Sequence, residues 1–92
     1  PRSLLREFKI KIKEKKFQPS LELQKLLNNF RSGKKEGKYI LYKNYEKFFL
    51  GQLPKERGEK IIIHNKIFFS NLIDAEIFVF KKRLNEYFRL YR

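Results

Sequence analysis

The chain has 92 residues, of which 41% are apolar and 16% aromatic, and this composition predicts one folded domain over residues 1–92 and excludes a disordered chain. It contains no cysteine and only one histidine, which excludes disulfides and cysteine-ligated zinc, so no metal site and no cofactor are predicted. The 23 Lys and Arg residues outnumber the 10 Asp and Glu residues and give a net charge of +13, which predicts an anionic partner.

The first predicted element is a β-strand at residues 8–13, with the sequence FKIKIK. Apolar and basic residues alternate in it, so the two kinds of side chain would lie on opposite faces of the strand. The basic side chains are those of Lys9, Lys11 and Lys13. Lysines also protect an edge strand from aggregation, so the pattern by itself fits a solvated strand as well as a binding strand.

A helix is predicted after Pro19, because Ser20 can cap its first turn and Gly33 can end it. Apolar residues recur in it at the spacing of a buried helical stripe; they are Leu23, Leu26, Leu27 and Phe30. A polar loop, RSGKKEGK, follows and places basic residues beside two glycines.

Two hairpins and a long helix are predicted in the rest of the chain. In KYILYKNYEKFFLGQLP, aromatic and β-branched residues flank a turn at the KN pair, residues 43–44. In KIIIHNKIFF the predicted turn is HNK, residues 64–66, because asparagine tolerates the positive φ of tight hairpin turns. The final helix covers residues 70–92, with Ser70 or Asn71 as its N-cap.

The predicted fold is therefore α+β, in the order β-α-β-β-β-β-α and with a long C-terminal helix. Its simplest arrangement is a small antiparallel-rich sheet with two helices packed on one face. The other face of the sheet would then be open to solvent or to a partner. The strand at residues 8–13 would place its lysines on that open face.

Three groups of basic residues are the candidate binding site. They are Lys9, Lys11 and Lys13 on the first strand, Lys34 and Lys35 in the glycine loop, and Lys81, Lys82 and Arg89 on the last helix. Lysines at alternate strand positions lie about 6.5–7 Å apart, which is close to the phosphate spacing of an extended nucleic-acid backbone. The leading hypothesis is a non-enzymatic nucleic-acid-binding domain that contacts phosphates, with RNA favoured over duplex DNA.

Other hypotheses fit the same residues. Size, basicity and strand-helix order resemble in outline the small ribonuclease toxins, but His64 is the one histidine available as a general base. An adaptor that binds an acidic protein, or a homodimer formed through the aromatic residues, is a further alternative. The charge also fits the amino-acid usage of a lysine-rich genome.

No apolar run reaches the about 18–20 residues of a membrane span, and no signal peptide opens the chain, so the predicted location is cytoplasmic.

Overall fold

The computed structural model of the protein describes residues 2–32 and 35–90 and shows an α+β fold with three helices and a three-stranded antiparallel sheet in those parts. The elements are α1 (Arg2–Lys11), α2 (Leu21–Ser32), β1 (Tyr39–Asn44), β2 (Lys47–Gln52), β3 (Ile62–Phe69) and α3 (Leu72–Leu90). The chain divides into two compact units, Pro1–Lys34 with α1 and α2, and Lys35–Arg92 with the sheet and α3. The predicted α+β class, antiparallel sheet and long C-terminal helix are confirmed. The prediction of one domain over residues 1–92 stays a prediction.

The predicted strand at residues 8–13 is wrong, because most of this segment belongs to helix α1. Leu4 and Phe8, four residues apart, are both buried, which is the spacing of neighbours on one face of a helix. Ile10, which the strand pattern grouped with Phe8, is 57% exposed. Leu4 lies before the alternating segment FKIKIK, so that segment by itself does not show the helical spacing of Leu4 and Phe8.

Helix α2 begins as predicted, with Ser20 at its N-cap. The Ser20 hydroxyl accepts a hydrogen bond from the Leu23 amide at 3.2 Å, and Ser20 donates through both its amide and its hydroxyl to the Glu7 carboxylate, at 2.6 and 2.7 Å. Glu7 belongs to α1, so one carboxylate ties the two helices of this unit together. These hydrogen bonds lower the pKa of Glu7.

Three residues of the predicted stripe of α2, Leu23, Leu26 and Phe30, are buried, whereas Leu27 is half-buried. The predicted helix end, Gly33, lies outside the described residues.

The first predicted hairpin is confirmed, but its turn lies two residues later than predicted. Strands β1 and β2 pair antiparallel and their last partners are Asn44 and Lys47, so Tyr45 and Glu46 form the turn. Tyr45 has φ 57° and is 89% exposed. A two-residue hairpin turn needs positive φ at its first central position in either of its favoured forms, and here a tyrosine adopts it.

The second predicted hairpin is wrong, because β3 is one strand that pairs with β2 from end to end. Its first residues pair with the end of β2, as Ile62 does with Gln52, and its last residues pair with the start of β2, as Phe69 does with Phe48. The HNK segment lies at an irregularity in this pairing, between the partners of Phe49 and Leu50. Extra residues that resembled a turn are therefore accommodated as a bulge, which bends a strand without reversing it.

Helix α3 packs against all three strands of the sheet. Asn71 is its N-cap, as predicted, since its side-chain oxygen accepts hydrogen bonds from the amides of Ile73 at 2.7 Å and Asp74 at 3.2 Å. Its buried residues are Ala75, Val79, Phe80 and Leu84. Within the described residues of the unit Lys35–Arg92, α3 is the helix that packs on the sheet, and the packing of two helices on one sheet face stays a prediction. None of the described helices combines the length and apolar character needed to cross a membrane.

Replacing Glu7 tests the link between α1 and α2. We expect Glu7→Ala to lower the free energy of unfolding at neutral pH by about 1 kcal/mol, the usual net contribution of a hydrogen bond, because the variant loses both bonds from Ser20. Because folding lowers the pKa of Glu7, its contribution is present at neutral pH and disappears as the pH falls below about 4.5, the ordinary value for a glutamate. Urea unfolding of both proteins at several pH values measures this difference.

The matched control for this experiment is Glu14→Ala, which removes the same charge from an exposed residue after α1. Equal losses in the two variants would mean that net charge, and not the hydrogen bonds to Ser20, accounts for the effect.

The hairpin turn gives a second prediction, which is that a substitution at Tyr45 makes the folded protein more stable. Tyr45→Gly removes a side chain that is 89% exposed and relieves the left-handed backbone conformation, so we expect the free energy of unfolding to rise by about 0.5–1 kcal/mol. Tyr45→Ala removes the same side chain but keeps a Cβ at that φ, and we expect no gain from it. A melting temperature that rises equally in both variants would contradict the assignment of strain to the backbone.

Candidate functional site

The sheet has one face that packs on α3 and one face that points away from it. Phe69 lies on the α3 side, because its ring centroid is 5.2 Å from that of Phe78 in the helix. Leu50 lies on the same side and is 3% exposed. Successive strand residues point to opposite faces, and directly paired residues point to the same face. The residues on the other face are therefore Ile40, Tyr42, Asn44, Lys47, Phe49, Gly51, Ile63 and Phe68, and we call this set the aromatic face.

Three rings cross the aromatic face in a line, one on each strand. Tyr42 pairs with Phe49, and Phe49 pairs with Phe68. The centroids of Phe49 and Phe68 are 5.9 Å apart, within the range of favourable aromatic pairs. The outer two remain accessible, since Tyr42 is 40% and Phe68 47% exposed. The face thus presents large apolar side chains to its surroundings.

Gly51 lies at the buried centre of this face. A Cβ at Gly51 would lie 3.1 Å from Cγ1 of Ile40 and 3.6 Å from Cβ of Tyr42, closer than most carbon contacts in the first case. The missing side chain therefore leaves room for Ile40 to lie across the strand. The row formed by Ile40, Gly51 and Ile63 is therefore shallower than the neighbouring row of three rings.

All charged side chains of the three strands are cations; they are Lys43, Lys47 and Lys66. Lys47 lies on the aromatic face, and its Nζ is 4.7 Å from the ring centroid of Phe68, a cation–π contact. An open depression beside it is lined by Asn44, Tyr45, Glu46, Lys47 and Phe49. The cation Lys47 lies on this surface beside the turn carboxylate Glu46, and the chain carries a net charge of +13, so the surface favours a partner with apolar and acidic groups.

A second group of cations lies where β1 begins and α3 passes it. Arg83 donates from Nε to the Tyr39 carbonyl at 2.8 Å, and Nζ of Lys82 is 6.0 Å from the Tyr39 ring centroid. Burial lowers the pKa of Arg83, and the Glu76 carboxylate acts in the opposite direction. We call Lys35, Lys38, Lys82 and Arg83 the basic cluster.

Lys38 shows that the charges of the basic cluster affect one another. Its pKa is lowered first by burial, then by the positive charges of Arg83 and Lys35. A cluster in which cations repel each other favours a nearby carboxylate or other anion. In the described parts of the chain, no three His, Asp or Glu side chains are grouped closely enough to hold a metal ion.

Comparison with protein-family models identifies the family to which the chain belongs. The model of the N,N-dimethylformamidase alpha subunit family matches residues 6–91. The chain belongs to this family. A search of curated proteins found no match.

Membership of this family corrects the functional prediction made from charge. The family is one of enzyme subunits, so the hypothesis of a nucleic-acid-binding domain, its ribonuclease alternative and the prediction of RNA or DNA as the partner are wrong. A net charge of +13 has more than one physical explanation, because any anionic surface satisfies it.

The lysines predicted to form a row do not form one. Lys9 and Lys11 are in α1, where two residues of separation turn the side chains about 200° apart, and Lys13 is in the turn that follows. Lys34 lies outside the described residues. The physical reason is the helix: alternate residues share a face in a strand but not in a helix.

The predicted cations of the second unit have three different surroundings. Lys35 and Lys82 belong to the basic cluster, whereas Lys81 is exposed on α3. Arg89 forms an ion pair with Glu86 at 2.6 Å, and that interaction raises the pKa of Arg89. Sequence reasoning missed Arg83 and the aromatic face. The strand register identifies the aromatic face, because it fixes which side chains lie opposite α3, whereas Arg83 is identified by its hydrogen bond to the Tyr39 carbonyl.

Removing the charge of Arg83 tests the basic cluster. We expect Arg83→Met, which keeps an unbranched apolar side chain, to raise the pKa of Lys38, because a positive charge that disfavours its protonated form is lost. An NMR titration of the lysine side-chain amines measures this pKa. Lys81→Met removes an equal charge from an exposed position of α3 and should leave Lys38 unchanged. An identical response to both variants would contradict the grouping.

Proposed function

We propose that this chain is a subunit of a multi-subunit enzyme that acts on N,N-dimethylformamide or a closely similar amide. In this proposal it binds a companion subunit that carries the reacting groups. The match of the family to residues 6–91 is the observation that supports the proposal most strongly. A cytoplasmic location and a single domain are part of the same proposal.

Several titratable side chains make structural contacts within the chain, which is consistent with a role in assembly. Glu7 binds the N-cap of α2, and Glu86 pairs with Arg89. His64 lies 3.3 Å through Nε2 from the side-chain oxygen of Gln52. The Gln52 amide donates in turn to the Gly37 carbonyl at 2.8 Å, so this chain of hydrogen bonds holds the segment before β1.

Charge supports an acidic companion. A chain with a net charge of +13 associates faster with a surface of opposite charge, and the gain decreases as salt screens it. In the proposal the predicted cations assist this approach; they are Lys9, Lys11, Lys13, Lys34, Lys35, Lys81, Lys82 and Arg89. Assembly would also reduce the repulsion among the cations of the basic cluster.

Co-expression with the companion subunit from the same genome tests the proposed function. We expect the two chains to purify together and to convert N,N-dimethylformamide, and the companion expressed alone to lose most of this activity. The association rate should fall as salt is raised from about 50 to 500 mM. Full activity and normal assembly of the companion without this chain would contradict the proposal.

A further inference from the structure

We propose that the aromatic face is the surface through which this chain binds its companion subunit, and that it takes an apolar patch bordered by carboxylates. This inference rests on the proposed function, since it locates the contact which that function requires.

The aromatic face has the composition of the centre of a protein interface. Tyr and Phe supply large contact area with few rotatable bonds, and such residues are enriched where partners bury surface. Tyr42 and Phe68 are 40% and 47% exposed, although each is fixed by a strand and lies beside the ring of Phe49. Both rings therefore keep contact area available for a partner, and the sheet holds them in position before binding.

The charges around this face favour an acidic border on the partner. Lys47 lies on this face, Glu46 of the adjoining turn lines the same depression, and the chain as a whole carries a net charge of +13. The ammonium group of Lys47 lies over Phe68 at 4.7 Å, where a partner that covers the ring would also remove water from the ammonium. A carboxylate that reaches Lys47 then forms a charge-assisted hydrogen bond at the edge of the apolar contact.

The same charges disfavour a second copy of this chain as the occupant. In a twofold symmetric dimer each surface meets itself, so two chains that each carry a net charge of +13 would be brought together. Like charges placed opposite each other oppose association.

The size of the face indicates that it is the centre of a larger contact. Three strands of about six residues cover roughly 300 Å², whereas a stable interface takes about 800 Å² from each partner. The remainder has to come from the residues around the face, including the exposed hairpin turn at Tyr45 and Glu46. The aromatic residues should then dominate affinity, because a few central anchors account for most of the binding energy.

The experiment measures the affinity of the full chain for the purified companion subunit by isothermal titration calorimetry. We expect Phe68→Ala to weaken binding about 30-fold, as loss of a central anchor does, and Tyr42→Ala to weaken it in the same direction. Lys47→Gln should weaken binding about 5-fold and reduce its salt dependence. The matched controls are Leu72→Ala, since Leu72 is 48% exposed against 47% for Phe68 but begins α3, and Lys60→Gln in an exposed loop.

The outcomes separate this inference from the proposed function. Wild-type binding that is unchanged by Phe68→Ala, Tyr42→Ala and Lys47→Gln would overturn the inference and leave the proposed function standing. Absence of any wild-type complex would overturn both. Equal weakening by Phe68→Ala and Leu72→Ala would also overturn the inference, because it would show no preference for the aromatic face.

Two further measurements on the free variants exclude other occupants of the face. If Phe68→Ala lowers the melting temperature without changing affinity, the face packs within the chain, and the inference is wrong. If Phe68→Ala abolishes self-association of the free chain while companion binding is kept, the face binds a second copy, and the inference is equally wrong.

Discussion

The pairing of β2 with both of its neighbours is the constraint on which the described site depends. Strand side chains alternate between faces, so this register decides which residues lie against α3 and which lie opposite it. Leu50 and Phe69 lie on the helix side, whereas Tyr42, Phe49 and Phe68 align on the aromatic face. A shift of one residue in either pairing would move the rings under α3 and would expose the core. Gly51 fits the same register, because its missing side chain leaves space for Ile40 on the aromatic face.

The parts of the fold that sequence predicts well are those in which local signals agree with the tertiary contacts. Ser20 caps α2, Asn71 caps α3, and the buried stripe of α2 keeps its helical spacing. At FKIKIK, two periodicities overlap, and burial of Leu4 with Phe8 selects the helix. At HNK, the turn signal is local, but pairing with β2 on both sides of the segment keeps the strand continuous through a bulge. In both cases the deciding contact involves residues outside the quoted pattern.

The candidate site was harder to predict than the fold, because the net charge follows from composition alone, whereas a site depends on where the side chains lie in the fold. Lys9 and Lys11 share a face only if the segment is a strand, and it is a helix. Lys82 keeps its predicted basic surroundings but lies near Phe78 and Tyr39, so its ammonium group contacts aromatic rings of its own unit. The aromatic face could be found from sequence only with the hairpin register known, since the turn had to be placed at Tyr45 and not at Lys43.

We propose that the face opposite α3 is covered when the chain joins its companion subunit. Hydroxyl-radical footprinting of the free chain and of the assembled enzyme measures this directly, because Tyr and Phe rings react in proportion to their exposure. The account predicts that oxidation of Tyr42 and Phe68 falls strongly on assembly while that of Leu72 does not change. Unchanged oxidation of Tyr42 and Phe68 in an assembled enzyme would contradict it.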